Sequence, residues 1–369
     1  MKHLAYIILM AFFCMACAQQ PKYSVEELAL RKDIGQMLLV GFRGTEYSDT
    51  MHIVRDIKEY SIGGVILFEY DVPSQSRSRN VSSPEQLREL CKALQHVSSE
   101  TLLISIDQEG GNVNRLKQRY GFPHFASAQQ QSHNDSVRYY ARLTAQTLHS
   151  MGINLNFAPC VDVNTNPSCP IIGKIGRSFG KDPNRVSECA QIWMEEQWNQ
   201  GVISCLKHFP GHGSSKSDTH KGLADVTDTW SSEELTPYIQ LISNAKEPLM
   251  VMTTHVFNGK IDTLYPATLS AKTLTQLLRD SLHYEGVIIT DDLAMGAMVQ
   301  EYSAEEMLTL TINAGANMLC LSNNGQQYNP NIVPETVDLI FRLVKEGKID
   351  AALIHDSARR IRALKQTLH

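Results

Sequence analysis

At 369 residues, with 43% hydrophobic and 20% charged side chains, the chain has an ordinary globular composition and room for one large domain or two small ones. A net charge of −5 and a pI near 6.2 argue against the basic face of a nucleic-acid binder. The absence of short-period repeats excludes solenoids and propellers.

The N-terminus differs from the rest. MKHLAYIILMAFFCMACAQQ carries Lys2, an apolar run from Leu4 to Ala16, and then polar residues. That run is too short to span a bilayer comfortably and suits the h-region of an export signal. Ala16 followed by Cys17 resembles a lipoprotein processing site, although Cys14 stands where such sites usually carry Leu. The expectation is a signal peptide over 1–16, a lipidated Cys17, a short linker over 17–27 and one domain over 28–369. The protein would then be exported and held on a membrane by its lipid. Of the 8 cysteines, Cys91, Cys160, Cys169, Cys189, Cys205 and Cys320 lie beyond this signal without CxxC spacing, so no zinc motif is present. Cys205 and Cys320 sit in apolar runs and read as core residues. Cys160 and Cys169 flank a loop, and an oxidising compartment would permit them to pair.

Along the chain, short apolar, β-branched runs recur: QMLLVGF (36–42), GGVILF (63–68), TLLISID (101–107) and INLNFAPCVDV (153–163). GVISCLKHF (201–209), PLMVMTTHV (248–256), GVIITDDL (286–293) and ANMLCLS (316–322) complete the series. Their continuous hydrophobicity predicts parallel strands buried on both faces. Between them lie segments such as SPEQLRELCKALQHV with helical spacing, where Ser83-Pro84-Glu85 reads as a helix start. This alternation predicts an α/β fold, a single-domain (β/α)8 TIM barrel. No glycine-rich phosphate fingerprint follows the first strand, which disfavours an open nucleotide-binding sheet.

Titratable residues fall at the run ends: Asp107 in the third, Asp162 in the fourth, Lys207 and His208 in the fifth, His255 in the sixth and Asp291 in the seventh. In a barrel these converge on one mouth, where such folds carry their chemistry. The stretch KHFPGHGSSKSDTH (207–220) adds His212, Asp218 and His220. His208 and His212 have the spacing of two metal ligands on a helix, but Pro210, Gly211 and Gly213 forbid that helix. A metal-dependent barrel hydrolase using Lys207, His208, His255 and Asp291 remains an alternative. Residues two apart in an extended segment face the same side, so Asp218 can orient the His220 imidazole for proton transfer.

Together, KHFPGHG and the following D-T-H resemble the signature of the β-N-acetylglucosaminidases of glycoside hydrolase family 3. IDQEGGNVNRL (106–116), NFAPCVDVNTNP (156–167), GRSFG (176–180) and ITDDLAMGAM (289–298) resemble the same family in the same order. The resemblance implies a single barrel without the second α/β domain of many relatives. It implies Asp291 as nucleophile and His220, paired with Asp218, as acid/base. Asp107, Arg115, Arg177, Lys207 and His208 would hold the terminal sugar, with Met295 and His255 as further substrate-binding candidates. Asp292, Asp291's neighbour, would face the other way and serve packing or hydrogen bonding. The implied activity is retaining removal of N-acetylglucosamine from muropeptides or related glycosides, with no metal or organic cofactor. Alternatives are a β-glucosidase or β-xylosidase, a phosphorylase that accepts phosphate, and a non-catalytic glycan-binding lipoprotein. Two segments are longer than the family's pattern: KIG before Arg177, and the Ser/Arg-rich DVPSQSRSRNVSS after GGVILFEY, which reads as a solvated insertion or as a border of the leaving-group side.

Overall fold

The structure, a computed structural model, describes residues 23–133, 136–219 and 222–368. The expected signal peptide and Cys17 lie outside these residues, as does His220.

The eight apolar runs form the eight expected strands: β1 (Leu38–Gly41), β2 (Gly64–Leu67), β3 (Leu103–Ile106), β4 (Leu155–Asn156), β5 (Ile203–Phe209), β6 (Leu249–Thr253), β7 (Val287–Ile289) and β8 (Leu319–Leu321). All pair in parallel with their sequence neighbours, and β8 pairs with β1 through Leu38 opposite Leu319. A parallel bridge between Ile289 and Met318 joins β7 to β8 and closes the ring. The protein is therefore a (β/α)8 barrel. Its strands are buried along their length, as continuous apolar runs require.

Every strand is shorter than its run, and in two the cause is local. β4 stops at Asn156 because Pro159 has no N–H to give the ladder; beyond it the backbone meets β5 through the Cys205 N–H to the Ala158 carbonyl at 3.2 Å and the bridge between Cys160 and Lys207. The Asn156 side chain instead accepts the Gln108 N–H at 3.0 Å and donates to Gln197 at 2.8 Å. The sixth run leaves the barrel after Thr253, and Val256–Phe257 pairs with Ala224–Asp225 in a separate two-stranded ribbon over the mouth loops.

Local signals set the helices. Ser83 caps the helix Pro84–Val97 by accepting the Gln86 N–H, with Pro84 at the first position as predicted. The first helix begins at Val25, inside the expected linker, because Ser24 and Glu27 form a reciprocal capping box there. It packs on the last helix, Ala351–Lys365, where Arg362 Nη1 meets Asp33 at 2.7 Å and Lys365 Nζ donates to Gln36 at 2.7 Å. All six cysteines among the described residues are buried, and Cys160 and Cys169 are not paired with each other.

Gly41 marks where β1 passes β8. A Cβ there would lie 1.8 Å from the Ser322 carbonyl oxygen, so no side chain fits without moving backbone. Gly41→Ala should cost roughly 3 kcal/mol in urea unfolding; an unchanged midpoint would show that the mouth yields more easily than this contact allows.

Candidate active site

The C-terminal strand ends surround a cavity of about 320 Å³ lined by Asp107, Arg115, Arg177, Lys207, His208, Asp291 and Met295, among others. Seven of the predicted site residues thus share one mouth, as expected from barrel geometry.

The floor is a chain of alternating charges. Lys207, with a side chain only 2% exposed, places Nζ 2.8 Å from Asp107 and 2.6 Å from Glu109. Glu109 also takes Arg177 in a fork, from Nε at 2.8 Å and Nη2 at 2.7 Å. Arg177 Nη2 meets His208 Nε2 at 3.1 Å, and His208 Nδ1 meets Asp162 at 2.6 Å. A guanidinium can only donate, so Nε2 accepts and the imidazole proton sits on Nδ1, facing Asp162. Asp162 further accepts the backbone N–H of His208 at 3.3 Å and of His212 at 2.7 Å. It therefore pins both ends of the turn through Pro210 and Gly211. Arg115 adds a contact to Asp107 at 3.3 Å.

Burial opposes the charges on Lys207, Asp107, Glu109, Asp162 and Arg177, and their partners outweigh it. The Lys207 pKa is disfavoured by desolvation yet raised above its ordinary value by Asp107 and Glu109. Desolvation would raise Glu109, but Arg177 and then Lys207 pull it down to about 2. Asp107 and Asp162 are likewise held below the usual carboxylate range against burial, by Lys207 and Arg115 and by His208 respectively. His212 is lowered to about 4, chiefly by burial, and is neutral at pH 7.

β5 presents two adjacent side chains to one mouth. Neighbours on a regular strand face opposite ways, but the ladder shifts register between Leu206 and Phe209, where the Lys207–His208 peptide is cis. Arg177 reaches the floor despite the longer segment before it: Gly173–Ile175 folds into one helical turn, and Arg177 Nη1 donates to the Ile171 carbonyl at 2.9 Å.

Across the cavity, Asp291 and Asp292 both border the mouth, so strand alternation does not remove Asp292 from it, but their carboxylates have different partners. Asp291 lines the cavity and accepts the Asp292 N–H at 2.8 Å. The Asp292 carboxylate is held by the Ser322 hydroxyl and, at 3.0 Å, by the Ser322 N–H. Thr219, between Asp218 and His220, is buried and lines the same cavity, and its carbonyl accepts the Ala297 N–H at 3.2 Å. That bond ties the D-T-H loop to the segment following Asp291.

One expectation is corrected. His255 is fully buried and does not line the cavity. Its Nδ1 lies 2.9 Å from Thr268 Oγ1 and its Nε2 lies 3.0 Å from the Asp292 carbonyl, so it braces the strand end behind Asp291. Strand 6 turns away after Thr253, and His255 stands beyond the last position that looks into the mouth. Two acids went unnoticed. Glu109 follows Asp107 by two in an extended segment, and alternation alone would have paired them. Glu69 lines the cavity and receives Lys117 at 2.5 Å; it follows Leu67 by the same spacing.

Among the described residues, Cys160, Asp162 and His208 alone offer three ligand-type atoms close together, within 4.8 Å. Asp162 already accepts several donors, and the Arg177 cation sits against His208, so the surroundings of this trio suit hydrogen bonding better than a cation. His255 and Asp291, which the metal-dependent alternative would use, are not part of it.

Because the folded Glu109 pKa lies below the unfolded value, its contribution is present above pH 4.5 and is lost as pH falls toward about 2. Glu109→Gln should remove about 3 kcal/mol at neutral pH and flatten the stability curve across that window, read by urea unfolding. Parallel curves for the two proteins would contradict the assignment.

The family model described as "Glycosyl hydrolase family 3 N terminal domain" matches residues 29–364. The chain is 34% identical over 286 residues to "Beta-hexosaminidase A" of Pseudoalteromonas piscicida, covering 71% of this chain and 46% of that protein. It is 30% identical over 295 residues to "Beta-hexosaminidase" of Idiomarina loihiensis, covering 78% and 84%. The solved family 3 β-N-acetylglucosaminidase of a Paenibacillus species superposes with a TM-score of 0.81 at 32% identity, over 92% of this chain and 62% of that one. The chain thus spans about half of the first relative and most of the second. The match runs through the strands and loops that build the cavity, and the chain belongs to glycosyl hydrolase family 3.

Proposed function

We propose that the protein is a retaining β-N-acetylglucosaminidase that removes terminal N-acetylglucosamine through a covalent intermediate on Asp291. The observation that carries this reading is the placement of Asp291 and the Thr219 loop on one cavity, opposite a floor of ionised groups. Such a floor suits sugar hydroxyls, because hydrogen bonds to charged partners are stronger than neutral ones. Asp107, Lys207, Arg177, Arg115 and His208 would orient the terminal sugar and leave its anomeric carbon toward Asp291.

In the first step an Asp291 carboxylate oxygen bonds to the anomeric carbon as the glycosidic C–O bond breaks. The His220 imidazolium gives its proton to the departing oxygen, with Asp218 orienting the ring. In the second step a water gives a proton to neutral His220 while its oxygen attacks the anomeric carbon, and the bond to Asp291 breaks. Two displacements at one carbon retain its configuration. His220 lies outside the described residues, and its role rests on the D-T-H motif and on the position of Thr219.

The names of the β-hexosaminidase relatives support an N-acetylated amino sugar at the floor. Muropeptides as substrates, export, and lipidation at Cys17 form part of this proposal and rest on the N-terminal sequence. No helix among the described residues is long and apolar enough to cross a membrane.

Asp291→Asn should lower release from an aryl N-acetyl-β-glucosaminide at least about 1,000-fold without changing the unfolding midpoint. Near-wild-type turnover would remove Asp291 from the mechanism. Exhaustive treatment with a chelator should leave the rate within about twofold of the untreated enzyme; loss reversed by added Zn²⁺ would support the metal-dependent alternative instead.

A further inference from the structure

We propose that the segment from Glu69 to Asn80 is the wall of the leaving-group subsite. Its Tyr70 and Val72 side chains would receive the apolar face of an uncharged pyranose. The inference rests on the glycosidase reading above and extends it to the other side of the scissile bond.

The segment is not a slack insertion. Its base is zipped by the Phe68 N–H to Asn80 Oδ1 at 3.0 Å and the Asn80 N–H to the Phe68 carbonyl at 2.9 Å. Within it, Asp71 and Ser76 pair through backbone bonds of 2.8 and 3.2 Å. Arg79 is buried, 1% exposed, inside the loop. Its guanidinium bonds the Asp71 carboxylate, Asn324 Oδ1 at 2.9 Å and the Asn323 carbonyl at 2.8 Å. Asn324 in turn donates to the Tyr70 carbonyl at 3.0 Å and accepts the Val72 N–H at 2.9 Å. Burying an arginine and an aspartate is costly unless they are paired; here both Nη atoms of Arg79 are paired while its Nε is not, and the Asn324 bridge fixes the two residues that face outward.

Those two residues are Tyr70, 37% exposed, and Val72, 47% exposed, and both line the cavity that holds Asp291. Rigid loops that hold apolar side chains in solvent at a cavity rim mark contact surfaces. Among the lining residues Tyr70, Val72, Val113, Ile171 and Asn324 are uncharged, and Glu69, beside Tyr70, is paired with Lys117 at 2.5 Å. The terminal sugar occupies the floor, so the group expelled from it must leave past this rim. A pyranose presents a C–H face that matches a phenol ring and a valine methyl, while its hydroxyl edge reaches solvent. The wall is also coupled to the nucleophile's strand end. Asn324 N–H donates to Ser322 Oγ at 3.2 Å, and Ser322 holds the Asp292 carboxylate.

The test is the ratio of kcat/KM for N-acetylglucosaminyl-β-1,4-N-acetylglucosamine to that for methyl N-acetyl-β-glucosaminide, two substrates that differ only in the leaving group. In Tyr70→Ala the ratio should fall about tenfold, the loss expected from one buried aromatic contact, and Tyr70→Phe should restore it to within about twofold. An unchanged ratio in Tyr70→Ala, with the wild-type enzyme cleaving both substrates, overturns the leaving-group assignment alone. A wild-type enzyme that releases neither leaving group overturns the glycosidase reading and this assignment with it.

Discussion

The buried ammonium of Lys207 is the constraint on which the mouth of this barrel depends. It sits 2.8 Å from Asp107 and 2.6 Å from Glu109, shielded from water. An unpaired ammonium there would be severely penalised, so strands 3 and 5 must bring acid and base to one point across the short fourth strand. From that point the polar contacts continue through Arg177 and His208 to Asp162, each group fixing the next. The result is a set of donors and acceptors whose directions are set before any sugar arrives. Preorganisation of this kind lets polar groups contribute to catalysis without reorganising during the reaction.

Two loop systems converge over that floor. The D-T-H loop is fastened to the chain after Asp291 by the Ala297–Thr219 bond, and the Asp291 strand end is braced from behind by His255. The long loop after strand 2 is fastened to the end of strand 8 through Asn324. In the proposed mechanism, floor, nucleophile and leaving-group wall are therefore linked by short polar contacts and not only by the barrel beneath them. His212, neutral because it is buried, lines the cavity beside the loop without adding charge, with Nε2 3.3 Å from Thr219 Oγ1.

The barrel itself was legible because its signal is periodic: eight buried parallel strands must read as eight apolar runs, and the helix caps at Ser83 and Ser24 are local chemistry. Run lengths were less legible, since Pro159 and the departure after Thr253 truncate ladders in ways that hydrophobicity does not register. Asp107, Lys207, His208 and Asp291 announced themselves as polar residues at apolar run ends. His255 did so too, but it proved to stand one turn of chain past the mouth, because position along a run does not state where the strand stops. Glu109 and Glu69 were hidden in loops where an acid is unremarkable. Only the partners they meet in space, Lys207 with Arg177 and Lys117, distinguish them. The Arg79 loop read either as a solvated insertion or as a border of the leaving-group side, and the burial of Arg79 against Asp71 and Asn324 is a tertiary fact that no local pattern carries.

The central claim is that substitution at the anomeric carbon proceeds twice, first at Asp291 and then at water. The most direct measurement is proton NMR of the sugar released from an aryl N-acetyl-β-glucosaminide, recorded before the anomers equilibrate. The account predicts that the β-anomer appears first and the α-anomer grows in later by mutarotation. First appearance of the α-anomer would mean a single displacement by water and would contradict the covalent mechanism.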